Sequence, residues 1–135
     1  MTSANTPEPA PIANSNHAVW DLVIDDVKTK MQSAINVVLQ TAYEQVIKDM
    51  HERDTFGELK YHIRLQAFNG RNAFIDSYQE LLDYIVYTKQ ALIEAEAEAN
   101  KENGYIAFLS EMYNKSINTA TVYKLWMVFD HKQKA

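Results

Sequence analysis

Three carboxylates line one side of a segment that reads as an amphipathic helix, IDSYQELLDYIVYTKQ at residues 75–90. Asp76, Glu80 and Asp83 are spaced by four and three residues, which places their side chains on neighbouring turns of one helix face. Like charges at these spacings repel each other, so they need either water or a cation around them. Mg²⁺ and Mn²⁺ prefer such oxygen ligands. The segment is therefore a candidate metal-binding helix, or an ordinary exposed helix whose acids face solvent.

A second pair of acids lies earlier in the chain, in the segment IKDMHER at residues 47–53. Asp49 and Glu52 are again three residues apart, so a helix places both carboxylates on one side. One helix supplies about two of the roughly six oxygens that Mg²⁺ requires, so a metal site needs a second helix. The two acid pairs face each other if helices at residues 43–53 and 72–98 pack antiparallel.

The region that carries the second acid pair is predicted to be helical. From about His17 onward, apolar residues recur every three or four positions, which indicates an amphipathic helix capped by Ser15 or Asn16. The pattern continues to Met50, either as one long helix or as two helices with a break near residues 31–36.

An irregular connection is predicted at residues 52–72, because this stretch holds two of the three glycines and breaks the helical period. Helix resumes at residue 71 or 72 and runs to about residue 100, where Gly104 is placed to stop it. A last helix is predicted over roughly residues 105–131. Asp76, Glu80 and Asp83 therefore lie in the first half of the helix predicted from residue 71 or 72 to about residue 100.

These elements predict an all-α fold, a helical bundle of about four helices, since no stretch keeps the two-residue period of a strand. A chain of 135 residues is long enough for one domain with its own core. Residues 1–16, rich in Pro, Ala, Asn, Ser and Thr, are predicted to be a flexible tail, and residues 17–135 a single domain. Long helices in so small a chain expose much apolar surface, which favours a homo-oligomer, a dimer or tetramer, that completes the bundle.

The composition excludes several classes of function. Cysteine is absent, which excludes disulfides, thiolate zinc sites and cysteine nucleophiles. The net charge of −5 and the lack of a basic cluster argue against nucleic acid as a partner. No stretch reaches about eighteen consecutive apolar residues, and the N-terminus lacks the pattern of a signal peptide. We therefore predict a soluble, cytoplasmic protein that does not bind membranes.

Residues 46–92 carry short motifs in a fixed order: Asp-Met-x-x-Arg, Phe-Gly-x-x-x-Tyr, Asn-Gly-Arg, and Tyr-Gln-Glu-x-x-Asp followed by Tyr-x-x-Gln. In these motifs the stretch resembles the MazG-like, all-α nucleoside triphosphate pyrophosphohydrolases, particularly the small single-domain members often carried by phages. The resemblance covers roughly a third of the chain and leaves residues 1–40 and 100–135 outside it. It implies hydrolysis of a nucleoside triphosphate between its α and β phosphates, which yields a nucleoside monophosphate and pyrophosphate.

The chemistry of that superfamily depends on a Glu-x-x-Glu pair and a Glu-x-x-Asp pair that bind Mg²⁺ on neighbouring helices. Glu80 and Asp83 match the second pair, and Asp49 and Glu52 are the best candidates for the first. The resemblance implies that these four acids hold Mg²⁺, or Mn²⁺, and that Asp49 is a ligand or the base that deprotonates the attacking water. It also implies substrate contacts from five further residues, namely Lys60, Asn69, Arg71, Tyr87 and Lys89.

The match to the family pattern is incomplete at two places. The first pair begins with Asp49 instead of Glu, which leaves Glu44 and Glu58 as alternative partners. The segment KYHIRL at residues 60–65 stands where relatives have Gly-Thr after the Tyr. Turn formation by Asn-Gly explains Asn69 as well as a contact to a base or sugar does. Two alternatives to an active enzyme stay open: a degenerate protein that binds and sequesters a nucleotide, and a helical interaction or scaffold protein.

Overall fold

The computed structural model describes residues 9–130, except for the side chain of Asp130. Over this range the chain is helical and contains no strand, which confirms the predicted all-α fold of about four helices. The helices are α1 (Val19–Gln32), α2 (Val37–Tyr61), α3 (Ala73–Ala97) and α4 (Asn103–Leu125), and α4 continues into a π-helical segment, Trp126–Asp130. Within residues 9–130, none of these helices combines the length and the apolar character that crossing a bilayer requires.

The described chain divides into two compact units at residues 71 and 72. The N-terminal unit, residues 9–71, contains α1 and α2, which pack against each other. The C-terminal unit, residues 72–130, contains α3, α4 and the π-helical segment. The predicted acid pair of α2 belongs to the N-terminal unit, and that of α3 belongs to the C-terminal unit.

The helical region from residue 19 onward is two helices and not one, with a break at residues 33–36. Helix α1 ends in two tight turns, in which the Ser33 N–H donates to the carbonyl of Lys30 and the Ala34 N–H donates to that of Met31, both at 3.1 Å.

The predicted cap of α1 at Ser15 or Asn16 is wrong. The helix begins after Ala18, whose side chain cannot accept a hydrogen bond, and the Val19 N–H instead reaches the carbonyl of Leu65 at 2.7 Å.

Asn36 starts α2, since its side-chain oxygen accepts a hydrogen bond from the Leu39 N–H at 2.8 Å. We expect Asn36→Ala to lower the free energy of unfolding by about 1 kcal/mol, because an N–H of the first turn loses its acceptor. Asn36→Ser keeps an acceptor at this exposed position and should stay close to the wild type. Urea denaturation followed by circular dichroism measures both. Equal stability of the Ala and Ser variants would contradict the assignment of the cap.

The predicted irregular connection at residues 52–72 is wrong in its first half, because α2 continues to Tyr61. A single glycine does not end the helix: Gly57 costs some stability but leaves the hydrogen-bond ladder intact. The helix ends at His62, which adopts a left-handed conformation (φ 64°) and donates its N–H to the carbonyl of Glu58 at 2.7 Å. The irregular part of the chain is therefore residues 62–72, which we call the connection.

The C-terminal unit begins where the sequence predicts, with Asn72 as the cap of α3 and its side chain accepting from the Ile75 N–H at 3.1 Å. The predicted helix stop at Gly104 is wrong. Helix α3 ends at Ala97, and Gly104 lies in the first turn of α4, where its N–H donates to the Glu102 carboxylate at 3.2 Å. A backbone N–H near a helix start needs such an acceptor, and Glu102 provides it.

The core of the C-terminal unit joins the start of α3 to the end of α4. Tyr123 stacks on Phe74 and Tyr78, with ring centroids 4.9 and 5.8 Å apart, and its hydroxyl lies 3.0 Å from that of Ser77. Buried side chains form two clusters, one of Ile75, Tyr78, Ala120 and Met127, and the other of Leu92, Ala95 and Leu109. The two helices are therefore antiparallel, and the core occupies one side of α3.

Candidate functional site

The acid pair of α3 lies on the side of that helix that faces away from α4. Glu80 and Asp83 are both exposed, as is Tyr87 one turn further along the same side. The opposite side of the helix carries Tyr78 and Ile85, which pack into the core with α4. Within this unit the two carboxylates are thus accessible to a ligand, and the fold does not use them.

The acid pair of α2 is placed in the same way within the N-terminal unit. Asp49 and Glu52 are exposed, and Glu52 makes a long ion pair, 3.9 Å, with the ammonium of Lys48 on the same helix. Both partners are about two-thirds exposed, so this pair contributes little to stability. Glu44 and Glu58, the alternative partners, are also exposed. Solvent access therefore does not distinguish between the candidates for the first pair.

Neither unit completes a metal site from its own described residues. Over residues 9–130, no group of three or more His, Asp or Glu side chains is arranged to hold a metal ion. Each unit presents one pair of carboxylates, which is fewer ligands than Mg²⁺ needs. Metal binding by four acids accordingly stays a prediction.

Lys60 and Lys89, two of the predicted substrate contacts, have their ammonium groups over aromatic rings. Lys60 lies over the ring of Tyr61 at 5.1 Å, and Lys89 over that of Tyr113 at 5.0 Å. Lys89 and Tyr113 also line a shallow groove of about 470 Å³ between α3 and α4, together with Ile85, Val86, Gln90, Ile93 and Glu94. These contacts hold each cation at a defined place without neutralising its charge.

The remaining two predicted substrate contacts, Asn69 and Arg71, lie in the connection. Asn69 is buried, at 6 % exposed, and its side-chain oxygen accepts a hydrogen bond from the Arg71 N–H at 3.1 Å. Its backbone carbonyl accepts from the Ile12 N–H at 2.8 Å. The guanidinium of Arg71 donates to the carbonyl of Pro9, also at 2.8 Å. Asn69 therefore shapes the turn, as the Asn-Gly pattern suggests.

Residues 9–16, the second half of the predicted flexible tail, are hydrogen-bonded to the connection, while residues 1–8 lie outside the described residues. The amide of Asn14 donates to the carbonyls of Ala67 and Phe68 at 2.8 and 3.1 Å. The amide of Gln66 donates to the carbonyls of Asn14 and Asn16, both at 2.7 Å. These bonds satisfy backbone groups that an irregular segment otherwise leaves to water.

A charged cluster that the sequence analysis missed lies where α1, α2 and the connection meet. Arg64 of the connection donates to both oxygens of Asp54 at 2.6 to 3.2 Å and to both oxygens of Asp21 at 2.7 and 3.1 Å. The Asp54 side chain is only 10 % exposed, whereas that of Arg64 is 34 % exposed. We call these three residues the Arg64 cluster. A guanidinium forked between two carboxylates ties the connection to both helices.

A signal for this cluster exists in the sequence. Tyr43, Ile47, Met50 and Asp54 follow one another at intervals of four, three and four residues, so Asp54 occupies the place of an inward-facing residue. A carboxylate in such a place needs a cationic partner. The prediction of irregular structure from residue 52 onward assigns Asp54 to no helix face, whereas α2 continues to Tyr61.

The Arg64 guanidinium, by hydrogen-bonding to Asp21, holds the pKa of that carboxyl below its usual value, and the two carboxylates in turn raise the pKa of Arg64. A carboxyl whose pKa falls on folding stabilises the folded state above its unfolded pKa of about 3.9, and this stabilisation is lost as the pH falls through the lowered folded pKa.

We therefore expect the wild type to be more stable than Asp21→Asn at pH values above about 5, by a constant amount, and the difference to shrink as the pH falls below about 4. Urea midpoints of both proteins measured across this range test the expectation. The other carboxylates are present in both proteins, so their contributions to the pH dependence of stability cancel when the two proteins are compared. A difference that does not change with pH would contradict a role for the Asp21 charge.

Comparison of the chain with family models, with characterised proteins and with solved structures gave no match.

Proposed function

We propose that the protein is a cytoplasmic, Mg²⁺-dependent nucleoside triphosphate pyrophosphohydrolase of the MazG-like kind. One observation carries the proposal beyond the motifs: both acid pairs lie exposed on long helices, on positions that the packing of their own unit leaves unused. Water alone can solvate these exposed carboxylates, whereas the buried Asp54 needs Arg64 as its partner. Accessible carboxylates at this spacing can also bind a cation, and the long ion pair of Glu52 with Lys48 is weak enough to be displaced.

The reaction follows from the charges involved. A triphosphate carries about four negative charges. Asp49, Glu52, Glu80 and Asp83 would hold Mg²⁺, which would supply positive charge for the phosphates and lower the pKa of a water. Attack of a water on the α phosphorus would break its bond to the α–β bridging oxygen, and pyrophosphate would leave with that oxygen. Asp49 is a ligand or takes the proton of the water. Lys60, Arg71 and Lys89 supply positive charge for the phosphates, and Tyr87 lies beside the acid pair of α3.

A panel of nucleoside triphosphates, each incubated with the protein and Mg²⁺, tests the proposal. We expect release of pyrophosphate and of the corresponding monophosphate from at least one nucleotide, and no release in the presence of a chelator. The melting temperature in the presence of each nucleotide is measured in parallel, because a ligand that binds the folded state raises it. A rise without turnover would identify a sequestering protein, and neither effect would identify an interaction or scaffold protein.

We also propose that the protein self-associates, as a dimer or a tetramer. Val122 and Leu125 at the end of α4 and Phe129 in the π-helical segment follow one another at intervals of three and four residues, and all three are at least half exposed. This apolar stripe lies on the side of the helix opposite the buried Ala120 and Met127. Sedimentation equilibrium of the wild type and of Leu125→Glu tests the proposal, since a charge in the stripe should shift the protein toward the monomer. A monomeric wild type would exclude it.

A further inference from the structure

Aromatic rings are concentrated on one side of the C-terminal unit. Phe108 of α4 comes directly before the buried Leu109. Tyr84 of α3 comes directly before Ile85, which packs into the core. A step of one residue turns a helix position by about 100°, and because the two helices are antiparallel, this step leads to the same side of the pair on both. We call this side the aromatic face, which consists of Tyr84, Tyr87, Tyr105, Phe108, Val122 and Trp126.

The side chains of the aromatic face are in contact with water. Their exposed fractions range from 44 % for Tyr84 to 67 % for Tyr87. Such exposure is unfavourable, because burial of large apolar side chains stabilises a folded protein or a complex. The opposite side of the helix pair, reached by the residue directly after a core-facing one, presents the aliphatic Val86 and Ile93 with the charged Lys89 between them. The aromatic surface is therefore specific to one side.

The area of the aromatic face matches what an interface between two copies requires. An aromatic side chain removes about 150–250 Å² from water when it is fully buried, so a half-exposed ring retains about 100 Å². The five rings and Val122 together retain about 600 Å², and two such faces would bury about 1,200 Å² from these side chains alone. Specific interfaces begin at about this size. Tyr, Trp and Phe are also the side chains that the centres of interfaces favour.

The aromatic face is as long as the helices that carry it. Tyr105 lies near the start of α4 and Trp126 directly after its end, about 30 Å apart along the helix axis. A small molecule or a short peptide would cover part of this length. The α3–α4 pair of a second copy has the same length, and two such pairs stacked on each other form a four-helix bundle. A second copy therefore fits the whole face.

Charged side chains lie along the outer rows of the aromatic face. Glu80 and Glu94 are each seven residues from Tyr87 on α3, and Lys115 lies seven residues after Phe108 on α4. Both signs of charge are thus present, so a second copy does not meet like charges alone. Interfaces commonly have such a polar rim, which stays in water. Glu80, a proposed metal ligand, would remain at this rim and accessible.

We propose that the aromatic face is the surface through which two copies of this chain associate, an inference that rests on the proposed self-association and specifies its surface. The face shares Val122 with the apolar stripe at the end of α4 and extends to the start of that helix and to α3. The same surface of each copy packs against the other about a twofold axis, the commonest arrangement of soluble homo-oligomers.

Sedimentation equilibrium without nucleotide or metal tests the proposal with two matched pairs of variants. Tyr87→Glu and Phe108→Glu place a charge on the aromatic face. Val86→Glu and Ile93→Glu place the same charge at similarly exposed positions on the opposite side. We expect each variant of the aromatic face to weaken association about a hundredfold, because loss of one interface ring costs about tenfold and each change occurs in both copies. The two variants of the opposite side should associate like the wild type.

Two further measurements separate association from folding. All four substituted side chains are more than half exposed, so the fold of the single chain should not change. Circular dichroism at a concentration where every variant is monomeric should therefore show the helix content of the wild type. Phe108→Leu keeps an apolar side chain on the aromatic face and should weaken association less than tenfold.

The other outcomes overturn distinct claims. Wild-type association of both Tyr87→Glu and Phe108→Glu would overturn the assignment of the surface and leave self-association intact. Weakening by Phe108→Glu alone would show that α3 takes no part. Weakening by Val86→Glu and Ile93→Glu, alone or to the same extent as the other pair, would likewise overturn the proposal. A monomeric wild type would overturn it together with the proposed self-association, whereas the nucleotide panel tests the hydrolase separately.

Discussion

Replacing Arg64 with methionine is expected to lower the free energy of unfolding by about 2–4 kcal/mol. The variant leaves the Asp54 carboxylate, only 10 % exposed, without its cationic donors. Loss of one partner from a fully buried pair costs about 3–5 kcal/mol, and the 34 % exposure of Arg64 reduces that figure because water reaches the site. Methionine keeps most of the apolar length of the side chain, so the loss reports the charge. Urea denaturation followed by circular dichroism measures the change.

Two further variants separate the contributions within the Arg64 cluster. Asp21→Ala should cost much less than Arg64→Met, because Asp21 is more than half exposed and water screens its interaction with Arg64. The double variant Asp54→Leu with Arg64→Met should recover most of the lost stability, since it leaves no charge buried without a partner. If the double variant is less stable than Arg64→Met alone, the penalty does not come from the unpaired carboxylate of Asp54.

Replacing either acid of α3 is expected to reduce Mg²⁺-dependent turnover by roughly a hundredfold or more. Glu80→Gln and Asp83→Asn keep the shape of each side chain and remove the negative charge that would hold the metal. Both residues are exposed, so the fold should remain intact. Stability should rise by about 0.2–0.5 kcal/mol, because repulsion between neighbouring acids on the helix is relieved. Pyrophosphate release at saturating nucleotide, together with thermal unfolding, measures both effects.

Glu96→Gln serves as the matched control, because Glu96 is an exposed acid of the same helix and no part of the proposed site. It should keep the turnover of the wild type. Binding of Mn²⁺, followed by electron paramagnetic resonance, should weaken in Glu80→Gln and Glu52→Gln and stay unchanged in Glu96→Gln. Normal turnover in both Glu80→Gln and Asp83→Asn would show that the proposed metal site is wrong, even if the protein proves to be a pyrophosphohydrolase.

Helical periodicity alone was sufficient for the fold class and for the start of α3, whereas the predicted cap of α1, the predicted end of α2 and the predicted stop of α3 at Gly104 were wrong. The start of α3 directly after Asn72 agrees with the sequence-based prediction, and the break at residues 33–36 decides between the one helix and the two helices that the sequence left open. The break between α1 and α2 depends on an interrupted apolar period, and the start of α3 depends on an asparagine that caps its first turn. Both features are local, so neighbouring residues are enough to predict them. The acid pairs at i and i+3 are local in the same sense, and their exposure on α2 and α3 follows from the helical period.

Contacts between distant parts of the chain were decided only by the tertiary structure. Helix α2 continues past Gly57 to Tyr61, and its buried Asp54 is paired with Arg64, which follows the end of the helix. Helix α1 starts at Val19 because Leu65, far along the chain, supplies its first acceptor. The conformations of Phe68 and Asn69 depend likewise on hydrogen bonds from residues 12 and 14. The sequence by itself determined which residues favour helix and which acids share a helix face, because those preferences act within about four residues. Which polar groups are buried depended on segments that only folding brings together.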